Sequence, residues 1–139
     1  MPKILVVDDE PDILRVVVRI MESCGHEVRT ALDGVEALER VAAERPDCII
    51  LDLNLPRLDG FEVCKRLKGD AATREIPIVM MTAAYVSVED AKQGQRLGAD
   101  EYVVKPFLRE VLVHNVERLL TAAAATAAAA AATAAATPA

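Results

Sequence analysis

Residues 1–12 read MPKILVVDDEPD: Ile4, Leu5, Val6 and Val7 run without alternation and stop on Asp8, Asp9 and Glu10, with Asp12 close behind. A short, unbroken apolar run is the pattern of a strand buried on both faces. Carboxylates crowded at its end repel one another, so the cluster asks for a positive partner. Working outward, similar runs recur at EVRTA (27–31), CIILD (48–52), IPIVMMT (76–82) and EYVVK (101–105). Their starts lie roughly 20 to 30 residues apart, room for one helix between each pair.

The intervening segments have helical spacing. Ile13, Val16, Val17, Ile20 and Met21 share one face of a helix over 11–24, and Asp33 is placed to cap a second helix carrying Val35, Leu38 and Val41. Asp59 opens a third helix with Phe61, Val63, Cys64 and Leu67. Ser87 opens a fourth that reaches Leu97 and stops at Gly98, and a fifth runs from about Phe107 to Leu120. Strand and helix in alternation predict an α/β fold, a doubly wound, five-stranded parallel sheet with five helices; if its order is 2-1-3-4-5, one of the orders such sheets take, strands 1 and 3 are neighbours at the switch point. Residues 1–120 are read as the folded domain. Residues 121–139, TAAAATAAAAAATAAATPA, are an Ala/Thr-rich low-complexity tail or linker with no apolar face.

Composition narrows the class of function. Net charge is −6, with no block of Lys and Arg and few aromatic residues, against the basic footprint of a nucleic-acid or anionic membrane surface. Cys24, Cys48 and Cys64 lack C-x-x-C spacing and sit in apolar stretches, as small core residues of a protein in the reducing cytoplasm. Within 1–120 no segment approaches the ~20 apolar residues of a membrane span. His26 and His114 have no metal-ligand spacing with each other or with cysteine.

In a sheet of this order the site lies at the carboxyl ends of the strands, where the order reverses. Strand 1 ends in Asp8 and Asp9, strand 3 in Asp52 followed by Asn54, strand 4 in Thr82 and strand 5 in Lys105. Three carboxylates in one crevice call for a hard cation, and Mg²⁺ fits because it needs few protein ligands. Lys105 and the Thr82 hydroxyl add donors on the other flank, a cradle for an anion rich in oxygen. A carboxylate in such a place can be a nucleophile that forms an aspartyl phosphate.

With VVDDEPD, LDLNLPRLDG, the Thr-Ala-Ala after strand 4 and YVVKPF in this order, residues 1–120 resemble the receiver domain of two-component response regulators. The resemblance implies that Asp52 accepts a phosphoryl group from a sensor histidine kinase or phosphotransfer protein. It implies that Asp8 and Asp9 hold Mg²⁺ with Asp52 and the Asn54 backbone carbonyl. Thr82 and Lys105 are then the hydroxyl and lysine that meet the phosphoryl oxygens, Tyr102 is a switch residue, and Lys105–Pro106 is a cis peptide. The chain is then no enzyme in the usual sense but a phosphoacceptor that assists its own phosphorylation and dephosphorylation. Phosphorylation would reshape the face of the fourth helix, fifth strand and fifth helix, which addresses an output protein or domain. A homodimer stays open: the DNA-binding branch of the family usually carries an acid and an Arg on the fifth helix, where this chain has Val111 and Asn115.

Two enzyme-like alternatives fit less well. A haloacid-dehalogenase-type phosphatase needs a second acid two residues after its nucleophile, where Asn54 stands. A flavin-binding domain of the same fold needs a hydroxyl- and Gly-rich loop where Asp8 and Asp9 stand. The remaining alternative is a receiver-fold interaction module that works without phosphorylation.

Overall fold

The computed structural model of this chain describes residues 2–83 and 98–136. Five parallel strands, β1 (Lys3–Val7), β2 (Glu27–Ala31), β3 (Cys48–Asp52), β4 (Ile78–Ala83) and β5 (Glu101–Lys105), form one sheet in the order β2-β1-β3-β4-β5. Four helices stand among the described residues: α1 (Pro11–Ser23), α2 (Gly34–Ala43), α3 (Gly60–Lys68) and α4 (Arg109–Ala136). The helix expected between Ser87 and Leu97 lies outside the described residues, so α4 corresponds to the fifth helix of the sequence reading.

The unbroken apolar runs are explained by two cores, one on each face of the sheet. Along β1, Ile4 and Val6 enter the core under α1 and α4, whereas Leu5 and Val7 enter the one under α2 and α3. Cys48 and Ile50 alternate with Ile49 and Leu51 in the same way, as do Val79 and Met81 with Ile78 and Met80. Strand period two with both faces covered leaves no position for a polar residue until the run ends. Val17 and Met21 of α1, and Leu112, Val116 and Leu119 of α4, close one face; Ala37 and Val41 of α2, and Val63, Cys64 and Leu67 of α3, close the other.

Local signals set most boundaries. Asp33 Oδ1 accepts the Glu36 backbone N–H at 2.8 Å and caps α2, and Asp59 Oδ1 accepts that of Glu62 at 2.9 Å and caps α3. Chain reversal after α1 uses Gly25 at φ +86, in the left-handed region that glycine enters without steric cost. Two boundaries differ from expectation. β4 begins at Ile78 rather than Ile76, because Pro77 has no N–H for a ladder. α4 continues past Leu120 to Ala136, since alanine has the highest helix propensity and no Gly or Pro interrupts before Pro138. Among the residues whose burial is described, its core contacts reach Leu119 and the half-buried Leu120, and residues 121–126 are largely exposed. Among the described residues, no helix is long and apolar enough to cross a membrane.

Candidate functional site

Each strand stops where its apolar run stops, and the parallel arrangement delivers the next polar residue to one edge of the sheet. Beyond β1, Asp8 is wholly buried and Asp9 is exposed. Asp8 Oδ1 accepts the backbone N–H of Glu10 at 2.9 Å and braces the turn into α1. Asp8 is not the cap of that helix: Glu10 takes the N-cap position without a side-chain bond, and Pro11 supplies the first turn. Asp52 ends β3 with 4% of its surface exposed, and Thr82 near the end of β4 is buried as well. One oxygen from each of Asp8, Asp9 and Asp52 lies within 4.8 Å of the others.

Lys105 ends β5, two strands from β3. Its side chain spans the width of β4, and Nζ stands 3.1 Å from Asp8 Oδ2 and 3.4 Å from Asp52 Oδ1. Burial pushes the Asp52 carboxyl up to about 6; the Asp8 charge adds to the rise, and Lys105 with a hydrogen bond from the Asn54 backbone opposes it. For Lys105, burial works against the charged form, but the charges of Asp52 and Asp8 outweigh it and raise its pKa. Among the described residues, three carboxylates face one ammonium. That shortage of positive charge, with an all-oxygen donor set, fits a hard divalent cation.

The other residues singled out from sequence are placed as follows. Asn54 is exposed in the loop 53–59 between β3 and α3. Tyr102 lies near the start of β5 in register with Met80 and packs against the core under α2 and α3. The Lys105–Pro106 peptide bond is cis. Ala84, the last residue of the Thr-Ala-Ala after strand 4, lies outside the described residues.

Two pairings were not legible in the sequence. Arg57, in the loop after Asp52, holds φ +66 and donates to Asp33 Oδ2 at 3.1 Å. His26 is buried, with Nε2 2.6 Å from Glu117 Oε1, tying the turn before β2 to α4. Neither pair has a local sequence signature, because its members come from different elements.

Comparison with known proteins bears on this geometry. The profile of the response regulator receiver domain matches residues 4–117. The chain is 42% identical over 120 residues to the DNA-binding dual master transcriptional regulator RpaA of Synechocystis, covering 86% of this chain and 49% of the relative. It is 44% identical over 119 residues to the transcriptional regulatory protein PrrA of Mycobacterium tuberculosis, covering 86% of this chain and 50% of the relative. The chain thus spans about half the length of the curated relatives it matches. Among solved structures, the Vibrio cholerae chemotaxis protein CheY4 superposes with a TM-score of 0.80 at 37% identity, over 86% of this chain and 98% of that one. The receiver domain of NtrX from Brucella abortus gives 0.79 at 38%, over 85% and 98%.

Proposed function

This chain belongs to the response regulator receiver domain family, and from that premise we propose that it is a phosphorylation-activated signalling switch with Asp52 as its phosphoacceptor. The observation that carries the proposal is the convergence of Asp8, Asp9 and Asp52 within 4.8 Å beside the Lys105 ammonium. In the proposed reaction an Asp52 carboxylate oxygen attacks the phosphorus of a phosphohistidine on a sensor kinase or phosphotransfer protein. The O–P bond forms as the P–N bond breaks, and the histidine leaves with the electron pair. A carboxyl at about 6 is mostly ionised at neutral pH yet more basic than an ordinary Asp, as a nucleophile should be.

Asp8, Asp9, Asp52 and the Asn54 backbone carbonyl are the residues that would hold Mg²⁺, which supplies charge neutralisation for the phosphoryl oxygens. Lys105, held between Asp8 and Asp52 in the unphosphorylated chain, transfers to a phosphoryl oxygen, and the Thr82 hydroxyl donates to another. Water later attacks the acyl phosphate. The chain therefore assists its own phosphorylation and dephosphorylation and is not an enzyme acting on another substrate. Withdrawal of Thr82 and Lys105 toward the phosphoryl group, with a turn of Tyr102, changes the face formed by β5 and α4. The exposed apolar side chains of Val104, Leu108 and Val111 on and beside that face suit a protein partner, an output domain or a second copy. Direct contact with nucleic acid does not suit a segment of net charge −6. The setting proposed is the cytoplasm, consistent with Cys48 and Cys64 being small residues buried in the two cores.

The test is intact-protein mass spectrometry after incubation with acetyl phosphate, with and without Mg²⁺, beside Asp52→Asn. A Mg²⁺-dependent gain of one phosphoryl group, absent from the variant, is the expected result. No gain under conditions that label a control receiver would overturn the switch and leave an interaction module.

A further inference from the structure

We infer that Asp33, acting through Arg57, is a positioning residue for the loop 53–59, and that the amino end of α2 is the template on which this loop is set. The inference rests on the reading of Asp8, Asp9, Asp52 and Asn54 as the metal-binding and phosphoacceptor set. Leu58 N–H donates to Pro56 O at 2.7 Å, closing a three-residue turn around Arg57 at φ +66. This is the rarer and more strained γ-turn, which a residue bearing a Cβ keeps only where its surroundings impose it. Arg57 is the one non-glycine residue at positive φ among the described residues.

Two contacts impose the turn, both from the start of α2. Asp33 divides its carboxylate: Oδ1 caps α2 at the Glu36 N–H, and Oδ2 takes the Arg57 guanidinium at 3.1 Å. The anchor is held by the helix and only 13% exposed, whereas the Arg57 side chain is 62% exposed. Next in sequence, Gly34 lies directly beneath the loop: a Cβ there would stand 2.0 Å from Leu58 O. A glycine is therefore required for the loop to rest on the helix backbone.

The far end of the loop closes on the acceptor itself. Gly60 N–H donates to Leu53 O at 2.9 Å, and a Cβ on Gly60 would stand 2.4 Å from Asp52 O. The Asn54 backbone N–H also lies close enough to the Asp52 carboxylate to favour its charged form. Relaxing the turn at Arg57 thus shifts the Asn54 main chain relative to Asp52. An exposed ion pair adds little to global stability, but a strained turn with a relaxed alternative needs only a small bias to set its population.

The experiment is an NMR titration of the intact chain with Mg²⁺, together with hydrogen exchange of the Leu58 amide, for wild type, Asp33→Asn, Arg57→Ala, Arg57→Lys and the double variant Asp33→Asn/Arg57→Ala. Asp33→Asn keeps an oxygen to cap α2 and loses the charge that holds Arg57. Expected are about three- to fivefold weaker Mg²⁺ binding in Asp33→Asn and in Arg57→Ala, and no further loss in the double variant. Faster Leu58 exchange accompanies the loss, thermal unfolding stays unchanged, and Arg57→Lys lies closer to wild type than Arg57→Ala. Mg²⁺ affinity of Asp33→Asn within about 1.5-fold of wild type, or losses that add in the double variant, overturns the inference. A wild-type chain that takes up no Mg²⁺ overturns the reading of the site instead. Leu58 exchange separates the two failures, because it reports the turn without metal.

Discussion

At the scale of single residues, the site is a balance of buried charge. Asp52 has a folded-state pKa of about 6 against an ordinary 3.8, chiefly because it is buried and secondly because Asp8 is near. A raised carboxyl pKa means that the folded state holds its proton longer than the unfolded one. The stability tied to this group is therefore complete below about pH 4 and is lost as pH rises through about 6. Replacing Asp52 by Asn removes that loss. In EDTA at pH 7.5, Asp52→Asn should be more stable than wild type by on the order of 1–3 kcal/mol, and at pH 5 by about half as much. Thermal melts at the two pH values check this; equal gains at both would show that burial of the charge is not the cause. Lys105 carries the opposite role. Lys105→Met leaves Asp8 and Asp52 facing each other with no ammonium between them and should cost about 2–3 kcal/mol in EDTA. Added Mg²⁺ should then raise the melting temperature of Lys105→Met by more than that of wild type, since a cation replaces the missing charge.

At the scale of elements, α4 is two segments of different physics in one continuous helix. Up to Leu119 it buries an apolar face with Leu112 and Val116, and beyond Leu120 it is carried by alanine propensity with little to bury. Leu112→Ala should therefore cost about 2–5 kcal/mol, by cavity formation beneath the sheet. Truncation after Leu120 should change stability by less than about 0.5 kcal/mol while lowering the helical circular-dichroism signal. A truncated chain that melted far lower would show that the extension packs on the domain. Strands were easier to read than this helix. An apolar run buried on both faces announces its own end, as Val7–Asp8 and Leu51–Asp52 do, whereas an alanine run has no polarity pattern from which a helix end can be drawn. The caps Asp33 and Asp59 were legible because capping is a contact within three residues.

At the scale of the whole molecule, a cation held at the proposed site would couple that site to the fold. Anything that binds the native chain and not the unfolded one stabilises it by mass action. Millimolar Mg²⁺ should raise the melting temperature of wild type and leave Asp9→Asn much less affected, a comparison that differential scanning fluorimetry makes directly. Asp9 suits this test because it is exposed, so its replacement disturbs the core least. Legible in the sequence alone were the strands, their parallel arrangement and the polar residues that stand at their carboxyl ends. Apolar runs end on Asp8, Asp52, Thr82 and Lys105, and a parallel sheet leaves those ends on one side. Only the tertiary structure decided that Lys105 sits between Asp8 and Asp52, that His26 meets Glu117 across 91 residues, and that Arg57 is pinned to Asp33 across 24. The reason is physical. Strand ends follow from hydrophobic patterning, which is local, while these pairings depend on the spacing of packed elements to within a few tenths of an ångström, which no local pattern records.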